Sequence, residues 1–209
     1  MPVPDLIVGD VHGCAEELRQ ILELSSAKNV ILVGDLFTKG PDPLGTWKLI
    51  QDHRIQAVMG NHDAFLLKNW GKKSLPKHLR KFCKKAPEVH AWLESLPLFL
   101  QFDKLIVIHA GVHPLRGLEG TSRNKALTMR HFPMKDPAAP FWYDAGWQGP
   151  ETVVFGHDAR RGLIRREKDG FPVAIGLDSG CVYGGQLSGW IPKEDQILSI
   201  QAAEKYVSP

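Results

Sequence analysis

The feature that most constrains the fold is the alternation of short apolar runs with helical patterns in the first half of the chain. The runs DLIVGD, NVILVGD and IQAVMGN indicate strands, and each ends in Gly-Asp or Gly-Asn. The segments AEELRQILEL, GTWKLIQD and DAFLLKNW, one after each strand, have the apolar spacing of amphipathic helices. Such alternation is typical of a parallel sheet covered by helices, so we predict an α/β fold.

The second half has a different character. Short strands with tight turns are predicted for LFLQF, KLIVIHAG, TVVFGHD, GLIRREKDG, FPVAIGLD and GQLSGWIP, which favours a second, more antiparallel sheet. Residues 113–150 indicate a long structured loop, and about 71–96 a basic, mostly helical insertion. With no repeat and no linker, we predict one domain over 1–209, built of two layered mixed sheets flanked by helices.

Composition fits an ordinary globular protein. The 209 residues are 43% hydrophobic and 23% charged, and no apolar stretch approaches the roughly 20 residues of a membrane helix. The N-terminus lacks the basic region of a signal peptide. The three cysteines (Cys14, Cys83 and Cys181) are odd in number and far apart in sequence, which argues against a disulfide framework or a thiolate zinc site. We therefore expect a cytoplasmic protein without a membrane segment, and no obligate protein partner is evident.

Charge is unevenly distributed. The net charge is +3, yet the segment Lys68–Lys85 contains seven lysines, one arginine and no acid. A solvated surface face is the commoner meaning of such a run. The alternative is a docking surface for a polyanion.

Polar side chains follow five of the predicted strands, each beside a glycine. They are Asp10 and His12, then Asp35, then Asn61, His62 and Asp63, then His109, then His157. Each group alone has an ordinary explanation as a helix cap or a turn. Together they are hard to explain as independent turns, because ligands of open α/β sheets bind beyond the C-terminal ends of the strands. We therefore predict a ligand site there.

The residue types favour metal chemistry. Carboxylate, imidazole and amide oxygen suit Mn²⁺, Fe or Zn²⁺. Two divalent ions about 3.5 Å apart clamp the attacking and leaving oxygens of a phosphoryl displacement. One carboxylate must then bridge both ions, and Asp35, the middle aspartate, is the natural candidate.

At this point the sequence resembles a known family. The order GDVHG, GD, GNHD, HAG and GH is similar to that of the calcineurin-like metallophosphoesterases. The single histidine of GHD and the segment GLDSGCVYGGQL resemble the phosphoprotein-phosphatase branch, in particular diadenosine-tetraphosphatase-like phosphatases. The likeness runs from Asp10 to about Leu187. It departs from the usual GDxxDRG motif, because Thr38 and Lys39 stand where that motif has Asp-Arg.

The resemblance implies roles for matching residues. Asp10, His12 and Asp35 would hold one metal; Asp35, Asn61, His109 and His157 would hold the other. Mn²⁺ is the first candidate, with Fe, Co²⁺ and Zn²⁺ as alternatives. His62 would be the general acid that protonates the leaving oxygen.

The missing Asp-Arg pair raises two questions. The first is what orients His62: Asp63 is preferred, with Thr38 or a backbone carbonyl as alternatives. The second is what binds phosphate. Lys39 would take the place of the arginine, and Arg130 would be the second clamp.

Some candidate side chains have ordinary alternatives. Arg160 and Arg161 are further candidates for the phosphate clamp, and for any of these arginines a surface salt bridge is an equal alternative. The aromatic residues Trp142, Tyr143 and Trp147 favour packing in the core or a loop over stacking on a nucleobase.

The leading functional hypothesis is a two-metal phosphohydrolase acting on dinucleoside polyphosphates or related nucleotides. A serine/threonine phosphoprotein phosphatase is the first alternative. A phosphatase of long polyanions, such as polyphosphate or RNA caps, would use Lys68–Lys85 for docking. A binding protein that kept the fold without the activity is the last.

Overall fold

The computed structural model describes residues 2–208 and contains two five-stranded sheets. The strands are β1 (Leu6–Val8), β2 (Val30–Leu32), β3 (Gln56–Ala57), β4 (Phe99–Phe102), β5 (Leu105–Ile108), β6 (Thr152–Phe155), β7 (Ile164–Lys168), β8 (Phe171–Gly176), β9 (Gln186–Ile191) and β10 (Gln196–Gln201). The α-helices are α1 (Ala15–Ser25), α2 (Pro43–Asp52), α3 (Asn61–Lys68), α4 (Lys77–Lys85), α5 (Glu88–Ser95) and α6 (Arg123–Thr128). The predicted architecture of two mixed sheets flanked by helices is confirmed.

The first sheet has the order β10-β9-β1-β2-β3. Strands β1, β2 and β3 run parallel, as the strand–helix alternation predicts. Strand β9 pairs antiparallel with β1, and β10 pairs with β9. The assignment of GQLSGWIP to the second sheet was therefore wrong, and β10 was not predicted. A hydrophobic pattern specifies that a segment is a buried strand but not which neighbour it pairs with.

The second sheet has the order β4-β5-β6-β8-β7. Its inner pairs, β5 with β6 and β6 with β8, are parallel, whereas the two outer pairs are antiparallel. The expectation of a second, more antiparallel sheet is corrected, because each sheet has two parallel and two antiparallel pairs. The parallel strands β5, β6 and β8 consequently place their C-terminal ends at one edge.

An apolar layer separates the two sheets. It is formed by side chains of both sheets and adjoining segments: Ile7, Ile31, Val33, Val58, Phe102, Leu105, Val107, Val154, Ile175, Leu177 and Trp190. In β1, Ile7 faces this layer, whereas Leu6 and Val8 face the helices. Burial on both faces explains why the strand is a continuous apolar run rather than an alternating one.

The 113–150 segment covers the outer face of the second sheet. It includes α6, a six-residue helix that was not predicted. Trp142, Tyr143 and Trp147 are at most 8% exposed and pack into this second core, which confirms the packing interpretation. None of these three side chains is therefore available for stacking on a ligand in the cleft.

The basic segment forms an amphipathic surface around α4. Leu79, Phe82 and Cys83 are buried, while the lysines of the helix are exposed. Within residues 2–208, none of the cations of Lys68–Lys85 forms a salt bridge. None of the helices within residues 2–208 has the length and apolar character that a membrane span requires.

The three cysteines are free and buried. Although far apart in sequence, Cys14 and Cys181 lie close in space. Their sulfur atoms and a carboxylate oxygen of Glu17 lie within 4.8 Å of one another. Cys14 and burial raise the pKa of Cys181, so that its thiol stays protonated at neutral pH.

Candidate active site

Residues after six strand ends converge on one cavity of about 680 Å³. Its wall includes most of the predicted site: Asp10, His12, Asp35, Lys39, Asn61, His62, Arg130, His157 and Arg160. His109 is fully buried beneath it, in contact with Asn61. Every predicted metal ligand is thus brought to one place, as the rule for strand ends in α/β sheets anticipates. Their roles as ligands remain predictions.

Four site residues have left-handed backbone conformations. His12, Asp35, Lys39 and His157 have φ of 50°, 54°, 73° and 76°, and they are half of the eight non-glycine residues with positive φ between residues 2 and 208. Such conformations are unfavourable for residues with a Cβ and persist where the surroundings enforce them. The backbone conformations of these loops are therefore imposed by their surroundings and are not the locally preferred ones.

Two glycines allow the loops to touch. A Cβ on Gly60 would lie 2.2 Å from the Asp35 carboxylate oxygen, and one on Gly156 would lie 1.8 Å from an oxygen of Asp10. Any larger residue would displace these carboxylates. The glycines that flank the polar residues in the sequence therefore serve close approach.

The Asp63 carboxylate binds backbone N–H groups. Its Oδ2 accepts hydrogen bonds from the backbone N–H groups of Asp35 (2.7 Å) and Gly60 (3.0 Å), and its Oδ1 accepts from Leu36 (2.9 Å). It is fully buried, whereas the His62 ring faces the cavity. Asp63 therefore holds the Asp35 loop, and within the described residues no hydrogen bond joins its carboxylate to the His62 ring. The preference for Asp63 as the group that orients His62 stays a prediction without a contact to support it.

The His62 ring lies edge-on against His12, with ring centres 5.0 Å apart. Its backbone N–H donates to Asp35 Oδ1 over 2.8 Å. Within residues 2–208, the ring nitrogens have no hydrogen-bond partner in the protein. Burial, together with Lys39 and His109, lowers the pKa of His62 to about 4, so the free protein holds it neutral at pH 7.

Hydrogen bonds fix the tautomer of His109. Its Nδ1 lies 2.9 Å from the carbonyl oxygen of Val33, which only accepts, so Nδ1 carries the proton. Burial lowers the pKa of His109 and keeps it neutral. Its Nε2 is then an acceptor and lies 2.8 Å from the side-chain amide of Asn61. The lone pair of Nε2 therefore points into the cavity beside Asn61, where it could bind a cation.

His12 is fixed in a similar way. Lys39 Nζ donates to its Nε2 over 3.3 Å, so Nδ1 carries the proton and donates to Thr38 Oγ1 at 3.1 Å. Its Nε2 lies 3.6 Å from Asp35 Oδ2. Thr38 therefore orients His12, and the contact that its alternative role at His62 would need is not among its hydrogen bonds in the described part of the chain.

The residues fit a pair of cations. Ligand atoms of Asp10, Asp35 and His109 lie within 4.8 Å of one another, as do those of His12, Asp35 and His62. Asp35 belongs to both groups, as a bridging carboxylate must. His157 Nε2 is buried without a partner, so it is an unused ligand nitrogen.

Electrostatics support the same conclusion. Burial and the charges of Asp178 and Asp35 raise the pKa of Asp10 well above its usual range, and burial raises the pKa of Asp35 to about 7. Burial lowers the pKa of His157 to about 2 and leaves it neutral. Crowded buried carboxylates with neutral imidazoles beside them form a site that divalent ions would stabilise.

Removing metal ions is expected to make stability depend on pH. Because the folded-state pKa of Asp35 exceeds the unfolded value near 4, the metal-free protein loses stability as pH rises through the folded value of about 7. We expect the free energy of unfolding to fall by about 2 kcal/mol between pH 5 and pH 7 from this group alone. Urea titrations with chelator at both pH values measure it. Titrations with Mn²⁺ are the control, and an equal fall with and without metal would contradict the interpretation.

Thr38→Val is expected to weaken the site without unfolding the protein. The change keeps the shape of the side chain but removes the acceptor for His12 Nδ1–H. Loss of such a supporting hydrogen bond typically costs about 10-fold to 100-fold in metal affinity. Mn²⁺ binding by titration calorimetry tests this. Thr38→Ser keeps the hydroxyl and is expected to behave like the unmodified protein; equal binding by the Val variant would exclude the role.

The cationic side chains sit next to different ligands. Lys39 Nζ donates to the Tyr183 hydroxyl over 2.8 Å. Arg130 donates to the backbone carbonyl of His157 (3.3 Å) and pairs with Asp158 (3.4 Å). Arg160 and Arg161 are exposed and line the cavity, whereas no residue of Lys68–Lys85 does.

Several residues of the cavity were not predicted. Asp178 lies two residues after β8, is 7% exposed and lines the cavity. Burial, with the charge of Asp35, raises its pKa to about 6. The strand–Gly–x–Asp pattern of FPVAIGLD was the signal that could have identified it. His131, Phe141 and Tyr183 had no comparable signal.

Comparison with known proteins gives a family match. Residues 6–175 match the family model described as calcineurin-like phosphoesterase. This range includes every predicted metal ligand.

Individual relatives agree with the match. A symmetrical bis(5'-nucleosyl)-tetraphosphatase of Vibrio campbellii is 36% identical, with 94% of this chain and 98% of that protein covered. The enzyme of the same name from Ralstonia nicotianae is 29% identical, covering 89% and 88%. A crystal structure of a protein provisionally described as a diadenosine tetraphosphatase has 38% identity and a TM-score of 0.80, covering 94% and 92%. A serine/threonine phosphatase from Saccharomyces cerevisiae shares the fold at 16% identity, with a TM-score of 0.57 over 97% and 82%.

Proposed function

Because the chain belongs to the calcineurin-like phosphoesterase family and is therefore a hydrolase, we propose that it hydrolyses dinucleoside polyphosphates with two divalent metal ions. The observation that carries the metal requirement is that Asp35 belongs to two groups of candidate ligand atoms, each within 4.8 Å of one another. The substrate class is supported by relatives named as bis(5'-nucleosyl)-tetraphosphatases whose whole length this chain covers.

The proposed ligand sets share one carboxylate. From the motifs of the family, one set would be Asp10, His12 and Asp35, and the other would be Asp35, Asn61, His109 and His157. Asn61 lies 2.8 Å from His109 and 2.9 Å from His157. The metals, Mn²⁺ first among Fe, Co²⁺ and Zn²⁺, would supply Lewis acidity and an acidified water. The three free, buried cysteines support action in a reducing compartment such as the cytoplasm.

The protein's own groups would bind the phosphates. Lys39 is directed into the cavity by the Tyr183 hydroxyl, and Arg130 is held beside His157 by Asp158. Each cation thus lies next to a different ligand set. Arg160 is a further cation of the wall and would contact the outer phosphates.

His62 would protonate the leaving oxygen. Its neutral state in the free protein follows from burial and nearby positive charge. The negative charge of bound phosphates acts in the opposite direction and favours the imidazolium. We therefore expect the proton to be acquired with the substrate, and the ring to be oriented by its contact with His12.

Hydrolysis of diadenosine tetraphosphate by the Mn²⁺-loaded protein tests the proposal directly. Product chromatography would show whether two nucleoside diphosphates or an asymmetric pair are formed. Turnover no faster than that of the Asp35→Asn variant would exclude this substrate class.

A serine/threonine phosphatase is the second candidate, because it would use the same metal site. It predicts a larger kcat/KM for phosphopeptides than for dinucleotides. A phosphatase of long polyanions would need Lys68–Lys85, which lies outside the cavity wall. Replacement of Lys72, Lys73, Lys84 and Lys85 by alanine would then lower activity on polyphosphate or capped RNA only, with a weaker salt dependence.

A further inference from the structure

A stack of planar groups forms part of the cavity wall. The guanidinium carbon of Arg161 lies 4.2 Å from the centre of the Phe141 ring. The ring of Phe141 is parallel to that of Tyr143, with centres 5.4 Å apart and planes at 4°. The His131 ring lies 4.5 Å from Phe141 at 31°. Arg161, Phe141 and His131 all line the cavity.

The stack is anchored to the core of the protein. Tyr143 is 8% exposed and stacks in turn on Phe155 at the end of β6, over 5.5 Å. His131 Nδ1 donates to the Ala139 carbonyl at 2.7 Å, and His131 pairs as an isolated β-bridge with Phe141. The rings are therefore held in place before a ligand binds, which lowers the entropic cost of stacking on them.

The charge of Arg161 is not committed to an acid. Within residues 2–208 it forms no salt bridge, and only its ring contact fixes its plane. Arg166 offers a comparison, because it also lies over a ring, Tyr143, at 5.2 Å. Arg166, however, donates two hydrogen bonds to Asp144 and does not line the cavity. Arg161 is thus the member of this pair that is available to a ligand.

His131, a member of the stack, is next to a proposed phosphate-binding residue in the chain. Arg130, beside the His157 ligand, immediately precedes His131 in the chain. Arg130, His131 and Phe141 line the same cavity, so a substrate with a phosphate at Arg130 could place the next part of the molecule against the two rings. In a nucleotide that part is the ribose and base.

We propose that Arg161, Phe141 and His131 form a stacking subsite for one nucleobase of the substrate. The inference rests on the proposed function and adds to it the residues that recognise the nucleoside. Guanidinium planes and aromatic rings stack on bases of any sequence, because every base has a π face. Stacking of one base is typically worth about tenfold or more in affinity.

Lysine at position 161 separates stacking from simple charge attraction. A lysine keeps the positive charge but has no planar group to place between Phe141 and a base. A phosphate contact would survive Arg161→Lys largely intact, whereas a stacked base would lose its partner. Arg161→Ala removes both.

The test compares two ligands that differ only by the base. Adenosine monophosphate and ribose 5-phosphate are titrated calorimetrically into the Mn²⁺-loaded protein. We expect the unmodified protein and Arg166→Lys to bind adenosine monophosphate about tenfold more tightly than ribose 5-phosphate. Both Arg161→Lys and Arg161→Ala are expected to bind the two ligands with nearly equal affinity.

Two results would overturn the subsite. One is a base preference retained in Arg161→Lys, which would assign the residue to charge alone. The other is an equal loss for both ligands, which would assign it to phosphate. Hydrolysis of diadenosine tetraphosphate, measured separately, decides the proposed function: turnover without a base preference rejects only the subsite, and a base preference without turnover rejects only the hydrolytic substrate.

Discussion

Asp35→Asn is expected to lower kcat for phosphoester hydrolysis by about three orders of magnitude while stabilising the metal-free fold. Asp35 is the proposed bridging carboxylate and belongs to both groups of candidate ligand atoms. Loss of the charge stabilisation by the metals would cost several kcal/mol in the transition state. Asparagine fits the site, because it tolerates the left-handed φ of 54° and keeps the oxygen that accepts from His62 N–H.

The opposite changes in activity and stability make the result specific. Without metal, burial disfavours the charged form of Asp35, so that a neutral amide relieves the cost. The measurements are kcat on p-nitrophenyl phosphate with Mn²⁺ and urea unfolding with chelator. Asp195→Asn, which alters a surface carboxylate paired with Arg165, is the control for nonspecific effects. A variant with lowered stability and lowered activity together would indicate misfolding instead of the loss of a ligand.

Asp63→Ala is expected to lower the free energy of unfolding by about 3 kcal/mol or more. The change leaves three buried backbone N–H groups, those of Asp35, Leu36 and Gly60, without an acceptor, and each costs about 1 kcal/mol or more. Because these groups belong to the loop that carries the bridging carboxylate, metal affinity is expected to fall as well.

The measurement is urea unfolding with and without Mn²⁺, together with the apparent Mn²⁺ affinity. Asp42→Ala is a matched control, since Asp42 caps α2 through one backbone N–H and does not line the cavity. It is expected to lose about 1 kcal/mol and to retain its metal affinity. If Asp63→Ala retained stability but lost only the pH dependence of activity, the original assignment of Asp63 to His62 would be restored.

The residues at the strand ends could be predicted from the sequence. The runs before Asp10, Asp35 and Asn61 are apolar on both faces and are followed by glycine, which is a local signal of a buried strand entering a tight turn. The side chains that follow parallel strands must meet at one edge of the sheet. The gathering of the polar residues therefore follows from local pattern and from the general geometry of α/β sheets.

The choice of strand neighbours and hydrogen-bond partners could not be predicted from the sequence. The position of β9 in the first sheet, next to β1, depends on pairing between segments about 180 residues apart in the chain. The three N–H groups bound by Asp63 belong mostly to another loop, and nothing in GNHD distinguishes that role from contact with His62. Such choices are made by complementarity across the folded interior.

The sequence by itself determined the α/β class, the strand ends and the residue types that meet there, because hydrophobic period and glycine placement are properties of neighbouring residues. Only the tertiary structure decided that Thr38 supports His12, that Asp178 joins the carboxylates, and that Arg161 lies on Phe141. These contacts join residues 20 to 168 positions apart (12 to 38, 10 to 178, 141 to 161). Their geometry depends on how two sheets and their loops pack together, which no local pattern encodes.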